Sequence, residues 1–347
     1  MFTPTYNITN KILNNIAKIE AAEEVIKHAP LLPLWEKQFK EDAIVRAVYH
    51  GTHIEGNPLH KDDAKDILLG KEIIGRPRDV QEIINYRKVI EFIDEEAKRK
   101  IDKITEQLIK KIHRIIVEKI LPIEQVGEYR NKQVIIRNSQ TGEVTFRPPP
   151  SIEVPFLMRE FIYWLNREDK EEIHPVIKAG IAHHELVRIH PFFDGNGRVA
   201  RVLATLILFL GGYDIRRFFS LEEYYDKDAA SYYQNLQKAS QGNLTAWLEY
   251  FTFGAAVEFE KIKNKILKLS KDAKLKERFG GQQIYLTERQ IKIVEYIQEV
   301  GFLQNQAFSQ IFPDVSEDTV LRDLKYLMDK GLIKKVGKTK AARYILV

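Results

Sequence analysis

The chain contains no cysteine, which removes disulfide frameworks, thiol nucleophiles and cysteine-ligated zinc from consideration. It also lacks a long apolar run. The most apolar stretch near its centre, Val202 to Leu210, falls well short of the roughly 18 residues that a membrane-spanning helix needs. The opening residues Met1-Phe2-Thr3-Pro4-Thr5 have neither the charged nor the apolar region of a signal peptide. No membrane partner and a cytoplasmic location are therefore expected. A strong charge bias is missing as well: 54 basic side chains face 49 acidic ones, a net charge of +5. That balance is too even to demand a nucleic-acid or membrane partner, so partners have to be argued from sites. His174, His183 and His184 are accompanied by no local HExxH pattern or carboxylate triad and read as core or loop histidines.

At 347 residues the chain is long for one core, so two or three domains are expected. One stretch organises it, His190-Pro191-Phe192-Phe193-Asp194-Gly195-Asn196-Gly197-Arg198-Val199-Ala200-Arg201. Apolar helices are predicted on both sides of it, over Ile173 to Ile189 and Val199 to Leu210. Gly195 and Gly197 permit backbone angles that gather N–H groups into a concave nest, and the second helix adds its unsatisfied N-terminal donors. Such a site binds an anion, usually phosphate. Arg198 and Arg201, three residues apart, share a helix face from which they reach neighbouring phosphates. Asp194 is a hard oxygen ligand suited to a magnesium ion held jointly with phosphates. His190, at the mouth of the loop, is a candidate general base near neutral pH.

This stretch resembles the Fic signature, His-Pro-Phe-x-Asp/Glu-Gly-Asn-Gly-Arg-x-x-Arg, and matches it at every defined position. The resemblance implies transfer of AMP from ATP to a hydroxyl side chain of a target protein, with Mg²⁺ as cofactor. On that pattern His190 would deprotonate the hydroxyl and Asp194 would hold Mg²⁺. Gly195, Asn196 and Gly197 would cradle the phosphates, and Arg198 and Arg201 would bind the β and γ phosphates. Self-modification and a homodimer are compatible with it. The alternatives are a Fic enzyme of another specificity, such as AMP removal or another nucleotidyl transfer, and a nucleotide-sensing DNA-binding regulator. Gly197 argues against phosphorylating relatives, which tend to carry lysine there.

The remainder reads as mainly α. Helical spacing from Ile8 to about Val48 is broken by Pro30 and Pro33, and Gly56 and Asn57 stop a helix just after Glu55. A carboxylate near a helix C-terminus opposes the macrodipole, which points to a cationic partner. Residues 51–57 resemble the inhibitory motif Ser/Thr-x-x-x-Glu-Gly/Asn found before many Fic cores. Glu55 and Gly56 match it, while Gly51 stands at the hydroxyl position. The resemblance implies that Glu55 inhibits by pairing with Arg201, and Gly51 predicts a looser clamp than serine or threonine would give. Amphipathic helices follow over Lys61 to Leu69, Asp79 to Arg99 and Thr105 to Glu118. Two β-branched runs within 133–147 flank a polar turn at 138–142 and predict a β-hairpin. In the resemblance this hairpin is a flap that holds the target segment by strand addition. Tyr233 and Leu236 match nucleoside-pocket positions of Fic proteins.

The expected domains are an N-terminal helical region over 1–95, a Fic core over 96–258, a lysine-rich linker helix and hinge over 259–283, and a C-terminal module over 284–347. The last predicts three helices, Thr287 to Glu299, Leu303 to Phe312 and Ser316 to Lys330, followed by a small hairpin around Gly337. It is similar to a winged helix-turn-helix, a small α+β domain, with Ser316 as the N-cap of its recognition helix. Its ten basic and eight acidic residues, a net +2, make DNA a candidate partner without demanding it.

Overall fold

The computed structural model describes residues 1–29, 33–137, 144–167, 173–213, 218–240, 242–278, 286–313, 315–337 and 342–347. The predicted flap turn at 138–142 and the Gly280-Gly281 hinge lie outside the described residues. The chain divides into two compact units, Met1–Leu267 and Lys268–Val347.

In chain order the first unit carries α1 (Asn10–His28), α2 (Pro33–His53), α3 (Lys61–Leu68), α4 (Pro77–Lys98) and α5 (Glu106–Val117), then β1 (Ile136–Arg137) and β2 (Val144–Phe146). It continues with α6 (Val154–Leu165), α7 (Pro175–Ile189), α8 (Asn196–Leu210), α9 (Leu221–Lys227), α10 (Ala229–Ala239) and α11 (Thr245–Arg278), which runs past the division between the units. The mainly α expectation holds. The reasons are local: Thr9 and Thr105 accept the backbone N–H groups of Ile12 and Leu108 as N-caps. Prolines open α4, α6 and α7, where the missing N–H costs nothing.

Helix α7 is the axis of this unit. Most of its side chains are buried, His183 and His184 among them, as befits a helix apolar on nearly every face. It packs along α8 more extensively than any other helix pair. Gly180 lets α11 come close: a β-carbon there would meet Leu248 Cδ2 at 2.9 Å and Phe251 Cδ1 at 3.0 Å. Its carbonyl accepts the indole N–H of Trp247 at 2.7 Å. Helix α8 is in turn covered by α4 and α5, and α4 also packs on α2, which brings the end of α2 to the start of α8.

Strands β1 and β2 pair antiparallel, Ile136 with Phe146 and Arg137 with Val144, with a bulge between. The ladder is shorter than the predicted runs. Among the described residues no helix is long and apolar enough to cross a membrane.

The second unit contains α12 (Glu288–Val300), α13 (Phe308–Ile311), α14 (Glu317–Asp329), β3 (Ile333–Val336) and β4 (Arg343–Leu346). Ile293, Ile297, Leu303, Phe308, Val320, Leu324 and Tyr344 are among its core residues. Thr287 and Gln290 form a capping box on α12, and buried Asp323 ties α14 to it by accepting from Gln290 Nε2 at 2.9 Å and from Arg289. The predicted helix from Leu303 is cut short because Leu303 and Tyr344 exchange backbone hydrogen bonds of 2.8 Å in each direction, extending the wing instead. Ser316 occupies the N-cap position, yet its hydroxyl bonds Thr319 Oγ1 at 2.8 Å rather than a backbone N–H.

Candidate active site

Helix α7 ends at His190, whose backbone is left-handed with φ +51. That conformation costs a non-glycine residue about 1–2 kcal/mol and persists where the surroundings fix it. Arg130 does so: its buried side chain donates to the carbonyls of His190 (2.8 Å) and Pro149 (2.5 Å), and its backbone N–H donates to Pro191 (2.9 Å). The His190 ring places Nδ1 3.3 Å from the Val187 carbonyl. A carbonyl only accepts, so Nδ1 carries the proton and Nε2 is the free base. Burial pushes the ring's pKa down to about 4 against the opposing pull of the Val187 carbonyl, so His190 is neutral at pH 7.

The loop beyond it is braced from inside. Phe192 is fully buried and stacks on His113, ring centroids 3.8 Å apart and planes at 3°. His113 Nδ1 accepts the N–H of Gly127 at 2.9 Å, which leaves Nε2–H to donate to the Asp194 carbonyl at 3.1 Å. The Asn196 side chain accepts from Phe192 N and donates to Phe192 O, both at 2.9 Å. Its amide is thus consumed in closing the loop, and what Asn196 offers an anion is its backbone N–H. Gly195 adopts φ +78 under Val117, the left-handed turn that starts α8.

Gly197 is glycine for another reason than the one predicted. It is an ordinary helical residue of α8, and a β-carbon there would collide with Glu55 Oε1. The residue at 197 therefore bears on where the Glu55 carboxylate can sit rather than on backbone freedom.

Arg198 and Arg201 project from the first turns of α8 and are each 2 % exposed. Arg198 lies 3.3 Å from both Glu82 Oε1 and Asp194 Oδ1. Glu82 also accepts from Asn57 at 3.0 Å, and Asp194 Oδ2 accepts from Arg78 at 2.9 Å. Burial raises the Asp194 pKa, but Arg198, the Gly195 N–H and Arg78 outweigh it and keep the carboxyl ionised. Arg201 donates through Nη2 to Glu55 Oε1 at 2.7 Å and to the Gly51 carbonyl at 3.0 Å. Burial alone would lower its pKa, and Glu55 reverses that. In both arginines the buried Nε and Nη1 make no hydrogen bond. Arg198 Nη1 keeps only the Glu82 ion pair at 3.3 Å, and the other three of these nitrogens have no hydrogen-bond partner beside the start of α8.

The two nucleoside candidates separate. Tyr233 is half exposed and donates to the Ile54 carbonyl at 3.2 Å, next to Glu55, whereas Leu236 is buried. Arg130, His113, Glu82, Arg78 and Tyr86 take part in the site without having been singled out in the sequence. The only local signal was the spacing of Arg78 and Glu82, an i,i+4 ion pair at 3.3 Å.

Residues 103–208 match the Fic/DOC family, and residues 289–337 match the DeoR-like helix-turn-helix domain. The chain carries a Fic domain followed by a DeoR-like helix-turn-helix domain. Among its relatives, the protein adenylyltransferase Fic of Drosophila yakuba is 36% identical over 179 residues, 51% of this chain and 34% of that protein. The protein of the same name from Culex quinquefasciatus is 30% identical over 235 residues, 67% of this chain and 44% of that protein. The chain thus spans less than half the length of these curated relatives. Its fold is shared by a Fic family protein from Desulfovibrio desulfuricans G20, with a TM-score of 0.66, 24% identity and coverage of 100% of this chain and 98% of that one. A segment of Fic-1 from C. elegans gives a TM-score of 0.62 at 26% identity, covering 75% of this chain and 73% of that one.

Proposed function

We propose that the chain is a protein adenylyltransferase that moves AMP from Mg-ATP to a serine, threonine or tyrosine hydroxyl of a target protein, and that Glu55 holds it off. The observation that carries this reading is the convergence on one loop of a neutral, half-buried His190 with two buried arginines, three of whose nitrogens have no hydrogen-bond partner. In the reaction, His190 Nε2 takes the proton of the target hydroxyl while its oxygen bonds to the α phosphorus. The bond from that phosphorus to the oxygen bridging to the β phosphate breaks, and pyrophosphate leaves. Its charge is met by Arg198, Arg201 and the first N–H groups of α8.

Asp194 fits a magnesium ion. It is a single ionised carboxylate at the loop, part exposed, and Mg²⁺ typically takes one or two carboxylates together with phosphate oxygens and water. No group of three or more His, Asp or Glu suited to a metal occurs among the described residues, so the nucleotide would supply the other ligands. When bound, the ion would neutralise phosphate charge and polarise the phosphoryl oxygens. Arg78 and Arg198, which contact the Asp194 carboxylate in this structure, would share it with the ion. Tyr233 would border the nucleoside, with Leu236 buried behind it. Strands β1 and β2 would receive the target segment in extended form.

The test is incubation of wild type and Glu55→Gly with ATP labelled at the α or the γ phosphate. Label from the α position should enter protein, the chain itself included, with one pyrophosphate released per AMP. Incorporation of γ label would mean phosphoryl transfer. No incorporation by either form with any target, despite nucleotide binding, would favour the regulator that senses nucleotide without turnover.

For the second unit we propose duplex DNA as partner, on the exposed Lys334, Lys335 and Arg343 of the two paired strands. Mobility shifts with the full chain should weaken steeply with salt. Lys334→Glu with Lys335→Glu should lower the slope of log K against log salt by about 2, at ~0.9 per phosphate contact. An unchanged slope would remove this surface from the interface.

A further inference from the structure

The end of α2 is seated against α4 through one close approach. The backbone of Gly51 lies so near the ring of Tyr86 that a β-carbon at position 51 would stand 2.5 Å from Tyr86 Cζ and 2.8 Å from its hydroxyl oxygen. Tyr86 cannot simply swing away. It is 1 % exposed, and its hydroxyl donates to Glu222 Oε1 at 3.1 Å, while Glu222 is itself buried and accepts from Ser220 at 3.0 Å. Because no side chain stands between them, the Gly51 carbonyl reaches Arg201 at 3.0 Å, and Glu55, one helical turn on, reaches the same Nη2 at 2.7 Å. The Tyr86 phenol also lies beside the Arg201 guanidinium, and burial, with the Glu222 charge adding to it, raises its pKa well above the ordinary phenol range, so it remains a donor to Glu222. Thr52 supplies no hydroxyl here, since its Oγ1 donates to the Val48 carbonyl of its own helix at 2.9 Å.

We infer that Tyr86, held by Glu222, supplies from α4 the hydroxyl wall that Gly51 lacks, and that it is a positioning residue which seats the end of α2 so that Glu55 meets Arg201. This rests on the reading that Glu55 restrains transfer. It reverses the simple expectation from the motif: putting a hydroxyl residue at 51 does not tighten the clamp but wedges α2 off α4 and withdraws both Gly51 O and Glu55 from Arg201.

The test measures AMP incorporation at saturating Mg-ATP, with thermal melting alongside, for Gly51→Ser and Tyr86→Phe in the wild-type and Glu55→Gly backgrounds. In the wild-type background each change should raise the rate, Gly51→Ser by about tenfold and Tyr86→Phe by severalfold. In the Glu55→Gly background neither should raise it further. Gly51→Ser combined with Tyr86→Leu makes room for the new side chain and exchanges one hydroxyl for the other, so it should return the rate toward wild type. A merely structural role would lower the rate in both backgrounds, and that result, or no gain from either single change, would overturn the inference. If Glu55→Gly itself brings no gain, the reading of Glu55 fails first and this inference falls with it. Should Gly51→Ser melt below the assay temperature, Tyr86→Phe in the two backgrounds decides alone.

Discussion

Glu55→Gly raises the rate of AMP incorporation at saturating Mg-ATP by about 100-fold, while Glu55→Gln gives a smaller gain. Arg201 is 2 % exposed, and its Nη2 is bonded to Glu55 at 2.7 Å. The outer phosphate of a nucleotide and this carboxylate seek the same guanidinium. On the proposed reading, while Glu55 holds it, ATP would bind with its α phosphorus turned from the line that His190 and the leaving oxygen require, and small misplacements carry large rate penalties. A 100-fold bias needs only about 2.7 kcal/mol. Closely paired charges at interfaces couple by about 1.5 to 7 kcal/mol, and the 27 % exposure of the Glu55 side chain places this pair toward the lower part of that range. Glutamine keeps a hydrogen-bond acceptor and loses the charge, hence its intermediate place. Equal rates in the three proteins would leave Glu55 as a helix-end carboxylate and put regulation elsewhere.

His190→Ala, made in the Glu55→Gly background so that the loss can be read, lowers transfer by about 10² to 10⁴-fold and leaves ATP affinity within a few-fold. The ring of His190 is hydrogen-bonded to the Val187 carbonyl and, among the described residues, to none of the phosphate-binding candidates, so truncation removes the base and leaves the arginines' own hydrogen bonds in place. The pH profile provides an independent reading. Burial lowers the His190 pKa to about 4, and the base form is the active one. The rate should therefore stay level as pH falls through the ordinary histidine range near 6.5 and drop only as it approaches about 4. A drop centred near 6.5 would mean that the working base is a solvated histidine. Stability moves in the opposite sense to a gained ion pair. His113, His184 and His190 all have pKa values pushed down to about 4 by burial, so the unfolded chain binds more protons between about 6.5 and 4, and stability falls with pH across that window. The acid limb must be measured on protein shown to be folded.

The loop from His190 to Arg201 was legible because its chemistry is contiguous: glycine, carboxylate and arginines follow one another, and a helix start turns them into a cluster. Glu55 was legible for a different reason, a carboxylate at the wrong end of a helix. Arg130, His113 and Glu82 were not, since each acts across a sequence gap that no local pattern encodes. His113 sits on the apolar face of α5, where it looks like any core residue until its two nitrogens are seen to join Gly127 to Asp194. Gly197 was noticed but explained by backbone freedom, because a sequence shows the missing β-carbon and not the Glu55 oxygen that fills its place. Leu303 misled for the opposite reason. Its apolar spacing fits a helix, and only the distant Tyr344 converts it into a strand bridge.

Gly197 also limits how the chain can drift. The volume that a side chain would need there is taken by the Glu55 carboxylate, in the space through which an anion would approach the start of α8. On the proposed reading, a larger residue at 197 would displace the Glu55 carboxylate and narrow the approach of the nucleotide in one step, so the gain would cancel against the loss. Single-residue escape from restraint is thereby channelled to α2 and the surfaces that seat it, positions that can vary without entering the reaction volume.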